Sequence, residues 1–354
     1  MLALKVPLKD AEKWKQYLLF NDLMDKEYHY GKDDDNIYLP VMHEFTLLIS
    51  SGNSSGKSSG VEFVQWDFKK TIRKGTLKEN LSKELTKEEF EFVKAAHDNI
   101  GTIAIVEIPQ TLEHREKIIA QTLLKTNPQI KTVLKKANIH EGVYRTQKMT
   151  YLAGVDTKET IYRENNVLLK LDVEKVYFSV RLGNERKRIM QLVYPGEEIL
   201  VMFSGAAPYP IVLSKNTKAK HILGIEINPE GHKYGLENIR LNKVKNVDLI
   251  CGDVHKIIPE LIAKDPNKKL SFDRILMPLP KTADEFLDDA LAVSRNGTII
   301  HFYDFLEIGK FDDALLKIDK ACEKREMKHE VLEIVKCGQH APYIYRICVD
   351  FKIL

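Results

Sequence analysis

Long apolar runs are missing from this sequence. A transmembrane helix needs about 20 consecutive apolar residues, and no run of that length occurs. The N-terminus, MLALKVPLKDAEKW, also lacks the apolar core of a secretory signal. Both absences favour a cytoplasmic protein that does not insert into a membrane.

Cysteine is scarce as well. The 354 residues include four cysteines and no CxxC pair. Structural zinc sites and disulfide frameworks depend on characteristic cysteine spacings, so we expect neither a bound metal nor a disulfide. The simplest interpretation is that all four are buried thiols. They are Cys251, Cys322, Cys337 and Cys348.

A large excess of one charge is also missing, because the net charge is only +3. The positive charge is nevertheless uneven, since residues 121–150 contain six basic side chains and one acid, Glu141. Such a cluster is most often a solvated face, but a polyanionic partner such as RNA would also explain it.

The chain does show clear changes of pattern along its length. A Gly/Ser tract at residues 50–60, SSGNSSGKSSG, predicts a flexible linker after a small, mobile N-terminal domain at 1–49. Residues 61–172 mix strand and helix patterns and predict an α+β domain. From 173 to 354 strands and helices alternate, which predicts a parallel α/β sheet, and the last two apolar runs predict an antiparallel hairpin. This is the layout of a class I S-adenosylmethionine-dependent methyltransferase, a Rossmann-like fold.

One β-α-β unit organises this last domain. An apolar run, Ile199 to Phe203, ends at the turn SGAAP, and a second run ends at Glu226. The turn has Gly205 alone and lacks the GxGxxG fingerprint that approaches a dinucleotide pyrophosphate. Glu226 and Asp253 end successive strands, where they could accept hydrogen bonds from a ribose diol and an adenine amino group. Each acid could instead cap the next helix, but the pair favours S-adenosylmethionine.

Two further segments lie near the same sheet edge in this prediction. In MPLPK, residues 277–281, two prolines stand where a strand should stop. Proline cannot donate to a β-ladder, so this loop is either a substrate wall or a plain strand terminator. In YFSVRLGNERKRI, residues 177–189, Arg181 and Glu185 are four residues apart and could form only an exposed helix pair.

Six motifs in order resemble the archaeal and eukaryotic tRNA (guanine-37 N1)-methyltransferase family. They are GVYR at 142–145, YFSVRLGNERKRI, MFSGAAPYP, GIEINP, CGDV and MPLPK, and the resemblance covers about residues 100–354. It implies that Glu185 is the general base for the guanine N1 proton and that Arg145 stabilises the charge developing on O6. For the flipped-out nucleotide it implies Tyr177, Arg181, Arg186, Pro278 and Pro280. For S-adenosylmethionine it implies Phe203, Gly205, Glu226, Ile227, Asp253 and Val254.

The sequence departs from the family pattern at three positions. Val180 stands in the family's FSPR motif, Val201 replaces an acid of the first strand, and Pro278 replaces the asparagine of the N-x-P loop. Proline offers no side-chain hydrogen bond to a base. The combination of FxGxxPYP with P-x-P resembles an archaeal subgroup that also methylates 4-demethylwyosine at C7.

We therefore predict a monomeric tRNA methyltransferase that grips the anticodon loop and the elbow of tRNA. It is expected to act on N1 of guanosine 37 and on C7 of 4-demethylwyosine in tRNA-Phe. Domain 1–49 would bind tRNA and domain 61–172 would bind RNA. The alternatives are another class I RNA methyltransferase with a different base target, or a nucleoside-binding or RNA-binding protein without catalysis. An NAD-dependent oxidoreductase is disfavoured by the missing GxGxxG motif.

Overall fold

The computed structural model describes residues 1–42, 45, 62–70, 75–94, 96–137, 142–264, 270–279 and 281–354. Its contacts divide the chain into two compact units, Met1–Thr76 and Leu77–Leu354. Among the described residues, no helix has both the length and the apolar character needed to cross a bilayer.

The first unit contains a four-stranded sheet in the order β2-β3-β1-β4 and an α-helix. Its elements are β1 (Leu2–Pro7), α1 (Ala11–Phe20), β2 (Gly31–Lys32), β3 (Asn36–Pro40) and β4 (Glu62–Gln65). Leu4, Leu18 and Leu39 lie in its core.

The boundary of this unit differs from the predicted one. Strand β4 was predicted to open the second domain, but it pairs antiparallel with β1, Leu2 opposite Gln65. This long-range pairing carries the unit to Thr76. The predicted linker, residues 50–60, lies outside the described residues.

The second unit begins with an α+β region. Its elements are α2 (Leu77–Leu81), α3 (Lys87–Glu91), β5 (His97–Ile100), β6 (Ile103–Val106), α4 (Glu116–Thr126), β7 (Thr132–Lys136), β8 (Met149–Gly154), β9 (Glu159–Glu164) and β10 (Val167–Asp172). Strands β5 to β8 form one sheet in sequence order, and β9 and β10 form a separate hairpin.

The rest of the second unit is a seven-stranded sheet in the order β13-β12-β11-β14-β15-β17-β16. Its elements are α5 (Gly183–Leu192), β11 (Glu198–Met202), α6 (Pro208–Asn216), β12 (His221–Glu226), α7 (Pro229–Asn242), β13 (Val247–Cys251), α8 (Val254–Lys264), β14 (Arg274–Met277), α9 (Leu287–Ala292), β15 (Ile299–Glu307), α10 (Asp312–Lys324), β16 (His329–Ala341) and β17 (Ile344–Ile353).

The strand pairing confirms the predicted fold class. Strands β11 to β15 pair in parallel, and β17 pairs antiparallel with both β15 and β16. Residues Ile199 to Met202 of the central strand are fully buried, because helices cover both faces of a parallel sheet. The carboxyl ends of the parallel strands therefore meet at one edge, where such sheets hold their ligands.

Two buried asparagines of α7 join the hairpin to the catalytic sheet. Asn238 accepts from the Lys170 backbone N–H (2.7 Å) and donates to the Lys170 carbonyl (3.0 Å). Asn242 makes the same pair of bonds with Leu168, at 2.9 and 2.7 Å. These amides satisfy the edge of β10 as a neighbouring strand would, and so they hold the β9–β10 hairpin against α7.

The cysteines only partly match their prediction. Cys322 and Cys348 are buried, whereas Cys337 is half-buried and Cys251 is exposed. Cys251 ends β13, which is an edge strand of the sheet, so fewer atoms cover it.

Candidate active site

The turn after β11 has an unusual backbone. Phe203, Gly205 and Ala207 all have positive φ, at 61°, 57° and 62°. Residues other than glycine rarely adopt positive φ, so the tertiary packing must hold Phe203 and Ala207 in this conformation. A Cβ atom at Gly205 would meet only the Tyr177 carbonyl oxygen within 4 Å, at 3.8 Å. The space against Gly205 is therefore open, and a ligand can approach the backbone there.

Glu226 ties this turn to the start of α7. Its Oε2 accepts from the Gly205 N–H at 2.5 Å and its Oε1 accepts from the Asn228 N–H at 2.7 Å. The side chain of Asn228, not Glu226, caps the helix by accepting from the Glu230 N–H. Burial raises the pKa of Glu226, while the backbone N–H groups partly oppose that rise. Each carboxylate oxygen retains a lone pair that could accept from a ribose hydroxyl.

Asp253 does cap the next helix, as the alternative interpretation allowed. Its Oδ1 accepts from the His255 backbone N–H at 3.0 Å. Val254 beside it is buried, and Ile227, after the end of β12, is half-buried. These residues lie where the cofactor prediction requires them, at the ends of β12 and β13.

Two rings that the sequence did not single out, Phe286 and His255, pack together with the predicted Phe203. The Phe286 ring stacks on His255 with 4.1 Å between centroids and meets Phe203 edge-on at 4.7 Å. Such rings offer a flat apolar surface of the kind a purine packs against.

Glu185 lies in the first turn of α5 with a carboxylate that is almost fully buried. The Tyr303 hydroxyl donates to Oε1 at 2.7 Å. Arg188 donates to both oxygens, Nη2 to Oε1 at 2.7 Å and Nε to Oε2 at 2.8 Å. The predicted base is thus held in one orientation, and its partner on the helix is Arg188 instead of Arg181.

A chain of charges continues inward from Arg188. Its Nη1 donates to Asp350 at 2.6 Å, and Asp350 accepts from His301 Nδ1 at 2.7 Å. The His301 Nε2 accepts from Arg274 Nη1 at 2.7 Å, since a guanidinium can only donate. Arg274 closes the chain with a bidentate pair to Glu197, both bonds at 2.8 Å.

The pKa shifts agree with this chain of bonds. Burial lowers the pKa of His301. Because Arg274 donates to Nε2, the ring carries its proton on Nδ1 and donates it in the hydrogen bond to Asp350. Burial opposes ionisation of Asp350, but the bonds from His301 and Arg188 more than offset it and lower its pKa. Burial also opposes the charge on Arg188, yet Glu185 and Asp350 raise its pKa.

Arg145, the predicted partner of the developing oxyanion, lies near Tyr177 and a second arginine. Burial is the main cause that lowers the pKa of Arg145, and the nearby charge of Arg346 acts in the same direction. Arg346 Nη2 donates to the Tyr177 hydroxyl at 3.0 Å. A desolvated guanidinium interacts strongly with an anionic group, which suits the predicted role of Arg145.

Two of the predicted nucleotide contacts are paired with acidic side chains. Arg186 is 1% exposed and forms a bidentate pair with Glu164 at 2.5 and 2.7 Å, and it also donates to the Ser179 carbonyl. It therefore positions the loop before α5 and does not reach a nucleotide in this conformation. Arg181 pairs with Asp98 of β5, its closest contact being 3.0 Å. Because 66% of its side chain is exposed, it remains able to exchange this partner for RNA.

The proline loop leaves the sheet beside the turn of β11. Pro278 is half-buried, and the Leu279 N–H bonds to the Met277 carbonyl at 2.8 Å in a tight turn. Pro280 lies outside the described residues.

The residues that the sequence did not single out share one signal. Arg346 and Asp350 interrupt an otherwise apolar final strand, YIYRICVDF, and His301 interrupts the apolar start of β15. A charged side chain inside a buried strand must find a partner, but the sequence does not identify that partner.

Family models match three parts of the chain. The TRM5/TYW2 methyltransferase domain matches residues 160–332, the TYW2 N-terminal domain matches residues 77–157, and the tRNA methyltransferase 5 N-terminal domain matches residues 3–46.

Curated relatives match nearly the whole chain. The tRNA (guanine(37)-N(1))-methyltransferase Trm5b of Pyrococcus abyssi is 35% identical over 99% of this chain and 99% of its own length. The tRNA (guanine(37)-N(1))/4-demethylwyosine(37)-methyltransferase Taw22 of Nanoarchaeum equitans is 34% identical over 73% of this chain and 100% of its own.

Solved structures are also similar. The complex of aTrm5 with tRNALeu is 32% identical, with a TM-score of 0.68 and full coverage of both chains. Methanocaldococcus jannaschii Trm5 in complex with adenosine is 30% identical, with a TM-score of 0.64, and covers 100% of this chain and 99% of its own.

Proposed function

The chain belongs to the TRM5/TYW2 methyltransferase family, and we propose on that premise that it methylates N1 of guanosine 37 in tRNA with S-adenosylmethionine. The observation that carries this proposal is the shared sheet edge, at which an open glycine turn and a buried, oriented carboxylate, Glu185, come together. The substrates named for its Trm5b and Taw22 relatives supply the base and the position.

The residues at the turn fit S-adenosylmethionine better than a dinucleotide. The turn is open at one glycine only, whereas a pyrophosphate needs several close backbone approaches. Glu226 would hold the ribose hydroxyls, and Asp253 with the aromatic group of Phe203, His255 and Phe286 would hold the adenine. When bound, the cofactor supplies an electrophilic methyl group.

Glu185 would take the proton from guanine N1. This nitrogen is protonated at neutral pH and is not nucleophilic, so a base must act as the methyl bond forms. Tyr303 and Arg188 fix the orientation of the carboxylate. Arg188 also pairs with Asp350. When Glu185 becomes neutral, Arg188 therefore still has an anionic partner, which limits the cost of leaving a buried cation unpaired.

Arg145 would stabilise the negative charge that develops on O6 during this proton transfer. Desolvation strengthens its interaction with an oxyanion, because the surrounding dielectric constant is lower than that of water. Tyr177, held by Arg346, would line the pocket beside the turn at Gly205.

The second proposed reaction is methylation of 4-demethylwyosine at C7, as in the Taw22 relative. A carbon nucleophile on a bulkier tricyclic base needs a different wall from that of guanosine. Pro278 supplies a wall without the amide group that the family's asparagine offers, which supports this second substrate.

The N-terminal unit is proposed to grip tRNA, as its match to a tRNA methyltransferase 5 N-terminal domain suggests. The contacted parts of tRNA, the monomeric state and the cytoplasmic location stay predictions.

The decisive test is mass spectrometry of nucleosides from tRNA incubated with the protein and S-adenosylmethionine. One substrate carries guanosine at position 37 and the other carries 4-demethylwyosine. We expect 1-methylguanosine from the first and a C7-methylated product from the second. A product methylated at another base would favour the alternative RNA methyltransferase, and no product with either tRNA would favour a binding protein without catalysis.

A further inference from the structure

The C-terminal hairpin brings an arginine into the site that no part of the proposed reaction uses. Arg346 of β17 lies opposite Phe305 of β15, and its guanidinium lies over that ring, 5.0 Å from the centroid. Its Nη2 donates to the Tyr177 hydroxyl at 3.0 Å. Arg346 is thus anchored beside the nucleotide pocket from two directions.

The Nε–H of Arg346 is buried and has no hydrogen-bond acceptor among the described residues. A buried donor without an acceptor costs free energy, and such a group in a native protein calls for an explanation. An anionic oxygen from a ligand would satisfy it. The planar guanidinium offers its donors in a fork that suits two oxygens of one phosphate.

The neighbouring strand is shaped around this arginine. Strand β16 has irregular register on both sides of the Gly338–Arg346 pair, once between Lys336 and Gly338 and once between Gln339 and Ala341. Bulges of this kind redirect side chains and occur often beside active sites. The second irregularity contains His340, whose ring stacks on Phe305 at 4.0 Å.

The outer side of this cluster is open to solvent and consists of one cation, Lys281, and one histidine ring, His340. His340 and Lys281, the residue after the proline loop, are exposed. Burial lowers the pKa of His340, and the charges of Arg346 and Lys281 add to this effect, which agrees with their proximity. An approaching anion would therefore meet Lys281 and His340 first and Arg346 last.

We propose that Arg346, backed by Phe305 and flanked by His340 and Lys281, binds a backbone phosphate of tRNA next to the target nucleotide. This inference rests on the proposed function and assigns a substrate contact to the same site. A phosphate explains the cluster better than O6 does, because a phosphate carries a permanent charge that attracts both cations, Arg346 and Lys281, while O6 becomes anionic only during the reaction.

The test compares Arg346→Gln with Arg295→Gln, an exposed arginine before β15 at the opposite edge of the sheet. Filter binding of a full-length tRNA transcript is measured across a salt series. We expect Arg346→Gln to weaken binding about tenfold and to reduce the salt slope by about one, with unchanged affinity for S-adenosylmethionine. Arg295→Gln should match the wild type, and Arg346→Lys should retain the salt slope with intermediate affinity.

A chemical substitution in the RNA identifies the contact. Two transcripts each carry a single methylphosphonate, the first on the 5′ side of residue 37 and the second on its 3′ side. One of them should bind the wild type about tenfold more weakly and bind Arg346→Gln no more weakly than unmodified tRNA does. The inference is overturned if Arg346→Gln binds like the wild type, if it lowers only kcat at saturating tRNA, or if both modified tRNAs weaken the variant as they weaken the wild type. Wild-type nucleoside analysis separates these results from a failure of the proposed function, which would show no methylation at position 37.

Discussion

The two halves of the site are built in different ways. The proposed cofactor half comes mostly from one continuous stretch, Phe203 to His255, joined by Phe286, and relies on backbone N–H groups, an open glycine and one buried acid. The proposed base-facing half gathers Arg145, Glu185, Tyr303 and Arg346 from distant parts of the sequence. Local motifs can specify the first half, whereas long side chains that converge through the fold specify the second.

The halves also differ in how they stabilise charge. Glu226 is buried without a cationic partner in the described structure, and two backbone N–H groups support it. Glu185 belongs to a hydrogen-bonded chain of ion pairs that passes through His301 and reaches Glu197. We therefore expect changes in the base-facing half to affect catalysis and stability strongly, and changes in the cofactor half to affect mainly one ligand.

The largest expected effect is on methyl transfer by Glu185→Gln. A general base contributes about 10²- to 10⁴-fold to rate, so the variant should lose at least about 100-fold in single-turnover methylation of guanosine 37. Its affinities for tRNA and S-adenosylmethionine should stay close to those of the wild type. Exposed Glu330→Gln is the matched control. Methylation within a few-fold of the wild type would remove Glu185 as the base.

The next effect is on stability, for Asp350→Asn. This change leaves the half-buried Arg188 with Glu185 as its remaining anionic partner and removes the charged acceptor of the buried His301, and it should cost about 3–5 kcal/mol of unfolding free energy near pH 7. Denaturant unfolding measures it, with exposed Asp313→Asn as the control. A loss below 1 kcal/mol would mean that the charge chain contributes little.

The same variant predicts a pH dependence. Because the pKa of folded Asp350 is lowered from 3.8, its stabilisation is complete above its ordinary pKa and is lost as pH falls through the lower folded value. The stability difference between wild type and Asp350→Asn should be constant from about pH 8 to 5 and should shrink below about pH 4. A difference that shrinks already near pH 6 would point to His301 instead.

A smaller, more selective effect is expected for Glu226→Gln. Loss of a charged acceptor costs about 1.5–3 kcal/mol when it binds a ligand hydroxyl, so calorimetry should show S-adenosylmethionine binding about tenfold or more weakly, with tRNA affinity retained. Exposed Glu260→Gln should have no effect. Preferred binding of NAD over S-adenosylmethionine by the wild-type protein would contradict the assignment of this half to S-adenosylmethionine.

The smallest effect is expected for Pro278→Asn, which restores the family's amide. It should shift the ratio of guanosine to 4-demethylwyosine methylation a few-fold toward guanosine, while Pro195→Asn at the opposite edge of the sheet should leave the ratio unchanged. The readout is the ratio of kcat/KM values for the two tRNA substrates. An unchanged ratio in Pro278→Asn would show that this wall does not select the base.

Much of the fold could be predicted because its signals are local. The alternation of strands and helices, the small-residue turn at Gly205 and the short C-terminal turn each depend on neighbours in sequence. The first domain boundary could not be placed in this way, because β4 joins the N-terminal sheet through pairing with β1, about 60 residues earlier. The side chain of Arg186 likewise gave no sign that Glu164 would bury it.

The sequence by itself determined the parallel sheet, its antiparallel end and the positions of Glu226, Asp253 and Glu185 at strand ends and a helix start, because periodicity and turn residues act over a few residues. Only the tertiary structure decided which charges meet. Arg188 could have paired with several acids, and Arg346 could have faced solvent. The pairing of β15 with β17, and the bonds from Asn238 and Asn242 to the β9–β10 hairpin, bring Asp350 and Tyr177 to these arginines. Such contacts form only when distant segments pack together.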